Sequence, residues 1–232
     1  MAQNIDVLIM CGGKCGSSTL LKTLENNGYK CIKVHSIEDY NNQFQSNKLF
    51  DTINISCKKK KFYIIDSYRT PIERKISSFF ENIDVHVPRW RYLSIINLIM
   101  IFNKNFLYPL EEYHSIDEVL NHYKLPIFKT FNFDKKYNII HKNNKFFIKI
   151  LHKDIDNWSL ILSKIFKKNI NISNENLSKN KNYKHLYEKF KFFYRVPRHY
   201  LDYMINYDIE FKIYNSSKEQ EDYINYWRNK SY

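Results

Sequence analysis

A three-layer α/β fold built around a central parallel sheet is what this sequence predicts, and three observations carry it. Ile5–Cys11 (IDVLIMC), Tyr29–His35 (YKCIKVH) and Phe62–Asp66 (FYIID) are short, largely apolar runs of strand length. Segments of helical periodicity follow the first and the third. The resulting order is strand, helix, strand, loop, strand, helix, and it buries a parallel sheet between two helical layers. With 232 residues, 44% of them hydrophobic, the chain is long enough for one domain with a substantial core, and residues 1–232 are read as that single domain.

Each element has its own signal. The first strand ends in glycines, and Ser18–Asn27 then follows helical spacing until Gly28 stops it. Residues 41–60 are polar and read as a helix with a loop. After Phe62–Asp66, Pro71 opens a helix, because its fixed φ suits a first turn. The middle, Val85–Phe133, is helical and aromatic, with a capping-box pattern at Ser115–Glu118. Within it, Tyr92–Phe102 is too short to cross a bilayer and reads as a buried helix or a cover over the active-site cleft. Tyr137–His141 and Phe146–Leu151 flank Lys142-Asn-Asn-Lys145 as a hairpin or two sheet strands. Asp156–Lys167 is an amphipathic helix, Asn169–Asn182 a polar loop, and the remainder mainly helical.

Lys+Arg 37 against Asp+Glu 24 gives a net charge of +13, which favours an anionic partner. The chain is also crowded with Lys, Asn, Ile and Tyr, so charge alone does not argue for nucleic acid, and none is expected as partner. Four cysteines (Cys11, Cys15, Cys31, Cys57) show neither metal-ligand nor disulfide spacing. Reduced thiols, no metal site, no signal peptide and no transmembrane segment are the expectations, and with them a soluble cytoplasmic protein.

Two stretches carry the chemistry. Three of the four glycines fall in or beside Cys11-Gly-Gly-Lys-Cys-Gly-Ser-Ser-Thr19, between the first strand and its helix. Such a turn lets backbone N–H groups curl around an anion at a helix N-terminus. Ser17, Ser18 and Thr19 add hydroxyls, and Lys14 adds a full charge. An ordinary strand-to-helix turn is the plainer alternative. A Walker A loop would place its lysine after the last glycine, whereas Lys14 precedes Gly16. The second stretch is Arg69-Thr-Pro-Ile-Glu-Arg-Lys-Ile-Ser77, whose Arg69 lies just past a strand on the ligand-binding edge of such sheets. Arg69 and Ser77 suit a second phosphate, while Arg74 is read as bracing the loop.

Together these stretches resemble the paired nucleotide-binding motifs of sulfotransferases that use 3′-phosphoadenosine 5′-phosphosulfate (PAPS). The lysine-bearing turn there resembles Lys14-Cys-Gly-Ser-Ser-Thr19, and the R-x-P-x-x-R-x-x-S segment matches Arg69 through Ser77. The resemblance implies a P-loop-like sulfotransferase fold with PAPS as sulfate donor and no metal. It assigns Gly13, Lys14, Cys15, Gly16, Ser17, Ser18 and Thr19 to the 5′-phosphosulfate and Arg69 and Ser77 to the 3′-phosphate. Phe147–Trp158 is similar to a strand-plus-tryptophan segment of glycan sulfotransferases, with His152-Lys153-Asp154 in place of an acidic pair. Asn180–Phe190 and Glu219–Trp227 resemble proteins of capsular polysaccharide synthesis. A glycan or another hydroxyl-bearing acceptor is the partner so implied. Gly13 stands where proline is usual, Cys15 where Ser or Thr is common, and Tyr68 precedes Arg69 with no acidic residue after it.

Sulfuryl transfer needs charge stabilisation on the departing phosphate, assigned to Lys14 and the Ser17/Ser18 turn, and a base for the acceptor. His35, at the end of the second strand, fills the second role, as the resemblance also implies for Val34-His35; a strand-ending histidine with no catalytic part is the alternative. Glu73, Glu81, His86 and His114 are further candidates, Glu73 being read as holding Arg74 and Asp39 as orienting His35. Arg89, Trp90, Arg91 and Tyr92 are read either as a sugar cleft or as core and rim. A P-loop kinase of a nucleoside or small metabolite, and a non-catalytic nucleotide-binding protein of the same fold, are the competing functions.

Overall fold

The computed structural model describes residues 5–45, 48–58, 60–108, 115–173 and 182–231. In it the first apolar run becomes strand β1 (Val7–Met10), and the glycine turn leads straight into helix α1 (Ser17–Asn26). Strand β2 (Cys31–Val34), helices α2 (Ile37–Gln43) and α3 (Leu49–Ser56), strand β3 (Phe62–Tyr68) and helix α4 (Pro71–Glu81) follow. The ambiguous polar stretch thus holds the end of α2 and all of α3. Ser36 sets the start of α2, its hydroxyl accepting from the Asp39 N–H at 2.9 Å. Strands β4 (Tyr137–Lys142) and β5 (Lys145–Leu151) form the expected antiparallel hairpin. Asn143 turns it with φ 54°, a left-handed conformation that asparagine tolerates.

The sheet order is β2-β1-β3-β5-β4, parallel except for β4. Because strand side chains alternate, the two faces build separate apolar layers. Leu8, Met10, Ile32, Val34, Phe62, Ile64 and Phe147 pack with residues of α2, α3 and helix α7 (Ser115–His122). Val7, Ile9, Ile65, Ile148 and Ile150 pack with α1 and helix α8 (Trp158–Phe166). Three layers result, as the periodicity predicts.

The chain gathers into two compact units, one of Met1–Arg69 with Tyr113–Asn176 and one of Thr70–Glu112 with Leu177–Tyr232. The first contains the whole sheet. The second is helical: α4, α5 (Ile83–His86), α6 (Ile95–Asn105), α9 (Lys184–Phe193), α10 (Arg198–Tyr207), α11 (Ile209–Tyr214) and α12 (Ser217–Arg228). Its core is strongly aromatic, with Phe79, Phe80, Phe102, Phe190, Tyr194 and Trp227 in one cluster. The apolar run expected as a buried helix or cover differs from that expectation. Helix α6 begins only at Ile95, after its cap Ser94, and buries just Leu98 and Phe102, one turn apart. Ile96 and Met100 are 66% and 64% exposed. Among the described residues no helix is long and apolar enough to cross a membrane.

Strand β3 runs two residues past its expected end at Asp66, for an electrostatic reason. Asp66 pairs in register with Lys149 of β5, and Lys149 Nζ donates to Asp66 Oδ2 at 2.8 Å. Both side chains are fully buried, and each charge is stabilised by the other. Replacing Lys149 with methionine removes the cation paired with the buried Asp66 carboxylate and is expected to cost about 3–5 kcal/mol of stability. Replacing Asp66 with leucine in the same chain should restore most of that loss, and urea unfolding of the single and double variants measures both.

Candidate functional site

Strand β1 has β2 on one side and β3 on the other, so the chain reverses direction across the sheet at β1. Open α/β sheets bind ligands in the crevice outside the carboxyl ends of the strands at such a point. Here the two flanking loops are the glycine turn after β1 and the segment after β3 that begins at Arg69. The glycine turn and Arg69, the first residue of the second stretch, therefore meet at one sheet edge. Arg69 Nη1 donates to the Lys14 carbonyl at 3.0 Å, which fixes the arginine against the turn.

The turn itself is bent by two left-handed residues, Lys14 at φ 67° and Gly16 at φ 86°. Lysine at such a φ is uncommon and costs about 1–2 kcal/mol, which the surroundings of the turn must offset. Gly16 is obligatory for a second reason. A Cβ there would lie 2.6 Å from Trp158 Cη2 and 3.3 Å from His152 Cδ2. Gly13, by contrast, faces open space, with no atom within 4 Å of an added Cβ. No side chain caps α1, and no acidic residue occupies its first turn. The positive end of its dipole is therefore not offset by a capping side chain or by an acidic residue of its own first turn.

The predicted donors divide by burial. Ser18 is half-buried, and Lys33 Nζ of β2 approaches its Oγ at 3.4 Å, a cation that sequence reasoning missed. Ser17 and Thr19 are buried, 6% and 7% exposed. The Cys15 side chain is fully buried in the apolar layer under α1, so only its main chain can serve a ligand. Cys11 is buried as well, and burial followed by the nearby Asp66 charge raises its thiol well above the usual range. It is no nucleophile at neutral pH.

His35 is exposed at the end of β2, and its ring Nδ1 lies 2.8 Å from the Cys11 carbonyl. A carbonyl can only accept, so Nδ1 carries the hydrogen and Nε2 of the neutral ring holds the basic lone pair. Asp39 acts differently from expectation: its carboxylate accepts the His35 backbone N–H at 2.8 Å rather than touching the ring. The orienting group is the Cys11 carbonyl.

The clearest omission from the sequence reading is His152. It follows β5, and its ring meets Trp158 edge to face at 6.3 Å over the space beside Gly16. Burial, then Arg69, then Lys14 lower its pKa to about 4, so it is neutral at physiological pH. Its neighbours turn elsewhere: Asp154 pairs with Lys136 at 3.1 Å, and Lys153 lies over the Phe133 ring. The neutral His152 thus lies beside the charges of Arg69 and Lys14 without adding one of its own.

The remaining candidates belong to the helical unit. Ser77 is half-buried on α4. Glu73, expected to hold Arg74, accepts the Tyr223 hydroxyl at 2.8 Å, while the buried Arg74 faces Asp208 closely enough to act on its carboxyl. Glu81 is exposed, and His86 rests on Phe106. Trp90 is core, its Nε1 donating to Asp84 at 2.7 Å, with Arg91 against its ring, whereas Tyr92 is 89% exposed. His114, with Asn180 and Lys181 of the capsular-synthesis resemblance, lies outside the described residues. Comparison with family models, curated proteins and solved structures finds no match for the chain.

Two outcomes follow from this geometry. Gly16→Ala should destabilise the protein by about 2–5 kcal/mol, combining the left-handed φ with the clash against Trp158, whereas Gly13→Ala should be nearly neutral in thermal unfolding. His152 binds a proton more readily unfolded than folded, so its contribution to stability is complete above about pH 6.5 and is lost as pH falls towards 4. The loss amounts to about 3 kcal/mol, and His152→Phe should flatten that part of the stability-against-pH curve measured by urea unfolding.

Proposed function

We propose that this protein is a PAPS-dependent sulfotransferase of the P-loop-like sulfotransferase fold, acting on a hydroxyl of a carbohydrate acceptor. One observation carries the reading: Arg69 is hydrogen-bonded to the main chain of Lys14, at the sheet's switch point and beside an uncapped helix N-terminus. This contact between the first motif and the leading arginine of the second supports the reading. The charge suits a doubly phosphorylated nucleotide, because Lys14, Lys33 and Arg69 gather there with a neutral His152 and the positive end of α1.

The donor supplies an activated sulfuryl group on a phosphate leaving group. Lys14 and the α1 N–H groups stabilise the negative charge that grows on that phosphate, and being fixed before reaction they need no reorganisation. His35 receives the acceptor's proton at Nε2 while the Cys11 carbonyl holds its other nitrogen in place. Cys15 and Gly16 contribute main chain alone, Ser17, Ser18 and Thr19 their hydroxyls, and Ser77 the second phosphate contact that the resemblance assigns to it.

Calorimetry with adenosine 3′,5′-bisphosphate (PAP) tests binding, and transfer from PAPS to a panel of polysaccharides tests turnover. Wild-type protein should bind PAP, and Arg69→Ala should abolish most of the affinity. Lys14→Ala should lower turnover by roughly a hundred- to a thousandfold. His35→Gln should lower it by about 10²–10⁴-fold with PAP affinity unchanged. Absence of PAP affinity overturns the reading. Magnesium-dependent ATP consumption would favour a kinase, and PAP binding without any transfer a non-catalytic nucleotide-binding protein.

A further inference from the structure

A second basic feature lies at the other end of the same sheet. A groove of about 380 Å³ opens beside the amino ends of β3 and β5 and the carboxyl end of α8. Lys61, Lys164, Lys167 and His141 line it, with no carboxylate among its lining residues. Lys164 and Lys167 also suit the negative end of the α8 dipole, whereas Lys61 comes from the approach to β3 and sets its Nζ over the Phe146 ring, 5.7 Å from the centroid.

The floor of the groove is an aromatic ladder set by strand register. Tyr63 pairs with Phe146, and Phe146 pairs with His141, across β3, β5 and β4. Their rings stack in turn, Tyr63 to Phe146 at 5.3 Å and 29°, and Phe146 to His141 at 5.8 Å and 20°. Phe166 covers Tyr63 at 4.4 Å. The rings cover one another's faces, so what Phe146 and Tyr63 offer a ligand is mainly their edges. Ring edges carry partial positive charge, and they attract anions where faces would attract cations or flat bases. Single-stranded nucleic acid needs open faces on which bases stack, and this ladder lacks them.

We propose that this groove is a second anion-binding site that takes a sulfated or carboxylated glycan chain. The ligand class rests on the glycan sulfotransferase reading, in which the polymer gains sulfate as it is modified. From Tyr63 to Arg69 the strand rises about 20 Å, so only a chain of several sugars could occupy the groove and the crevice at the sheet's other edge together. A second point of attachment on one polymer raises the effective concentration of the next acceptor hydroxyl at the first.

The test uses the full-length protein and a short dextran sulfate as probe, followed by calorimetry at low salt. Lys61→Ala/Lys164→Ala/Lys167→Ala should weaken binding about tenfold or more, because three sulfate partners are removed. Lys124→Ala/Lys129→Ala/Lys218→Ala removes the same charge from other exposed positions and should change it less than about twofold. Acetylation footprinting of the wild-type protein should show Lys61, Lys164 and Lys167 shielded by dextran sulfate and unshielded by neutral dextran. Equal loss in the two triple variants, or no shielding, overturns the proposal. So does a dT12 oligonucleotide that binds as tightly as dextran sulfate through the same lysines. PAP affinity, measured on the same variants, should be unchanged. Its absence in wild-type protein with glycan binding intact would remove the sulfotransferase reading and leave the groove standing.

Discussion

The contact on which the site depends is the fit of Trp158 against Gly16. The indole is fully buried, and its Nε1 donates to the Leu151 carbonyl at 3.0 Å, so the ring cannot retreat. It fills the space that any side chain at position 16 would need. The start of α8, the end of β5 and the turn after β1 are thereby held together by one ring. The left-handed φ of Lys14 and the position of His152 both follow from where that turn is held. A single missing methyl group at residue 16 thus permits the whole constellation.

The electrostatics of the crevice are one-sided. Lys14, Arg69 and Lys33 approach the same helix terminus, and the one imidazole packed among them is kept neutral by burial and by those cations. Each cation near His152 makes its protonated form costlier, and the apolar layers beneath the turn hold that arrangement in place.

Much of this was legible in the sequence, for identifiable reasons. Glycine spacing, Pro71, the hairpin asparagines and the apolar runs of β1 and β3 are local signals, and each marks its element. The early stop assigned to β3 shows where local reading fails. Asp66 looks like a strand terminator until Lys149, 83 residues later, is known to lie opposite it. His152 was noticed only as standing in place of an acidic residue, and its role was hidden for the same reason, because that role comes from the crossing of β5 past the glycine turn and not from its neighbours. Asp39 was misjudged in detail: whether its carboxylate meets the imidazole or the backbone N–H of His35 depends on a rotation that residue type does not encode.

The buried pair between β3 and β5 has one more consequence. Strand pairing errors of a single residue move every side chain to the opposite face, and apolar strands as uniform as these could slide with little penalty. A slipped alignment would separate Asp66 from Lys149, so the pair favours the alignment in which they lie opposite each other. That same alignment fixes where β3 ends and Arg69 follows.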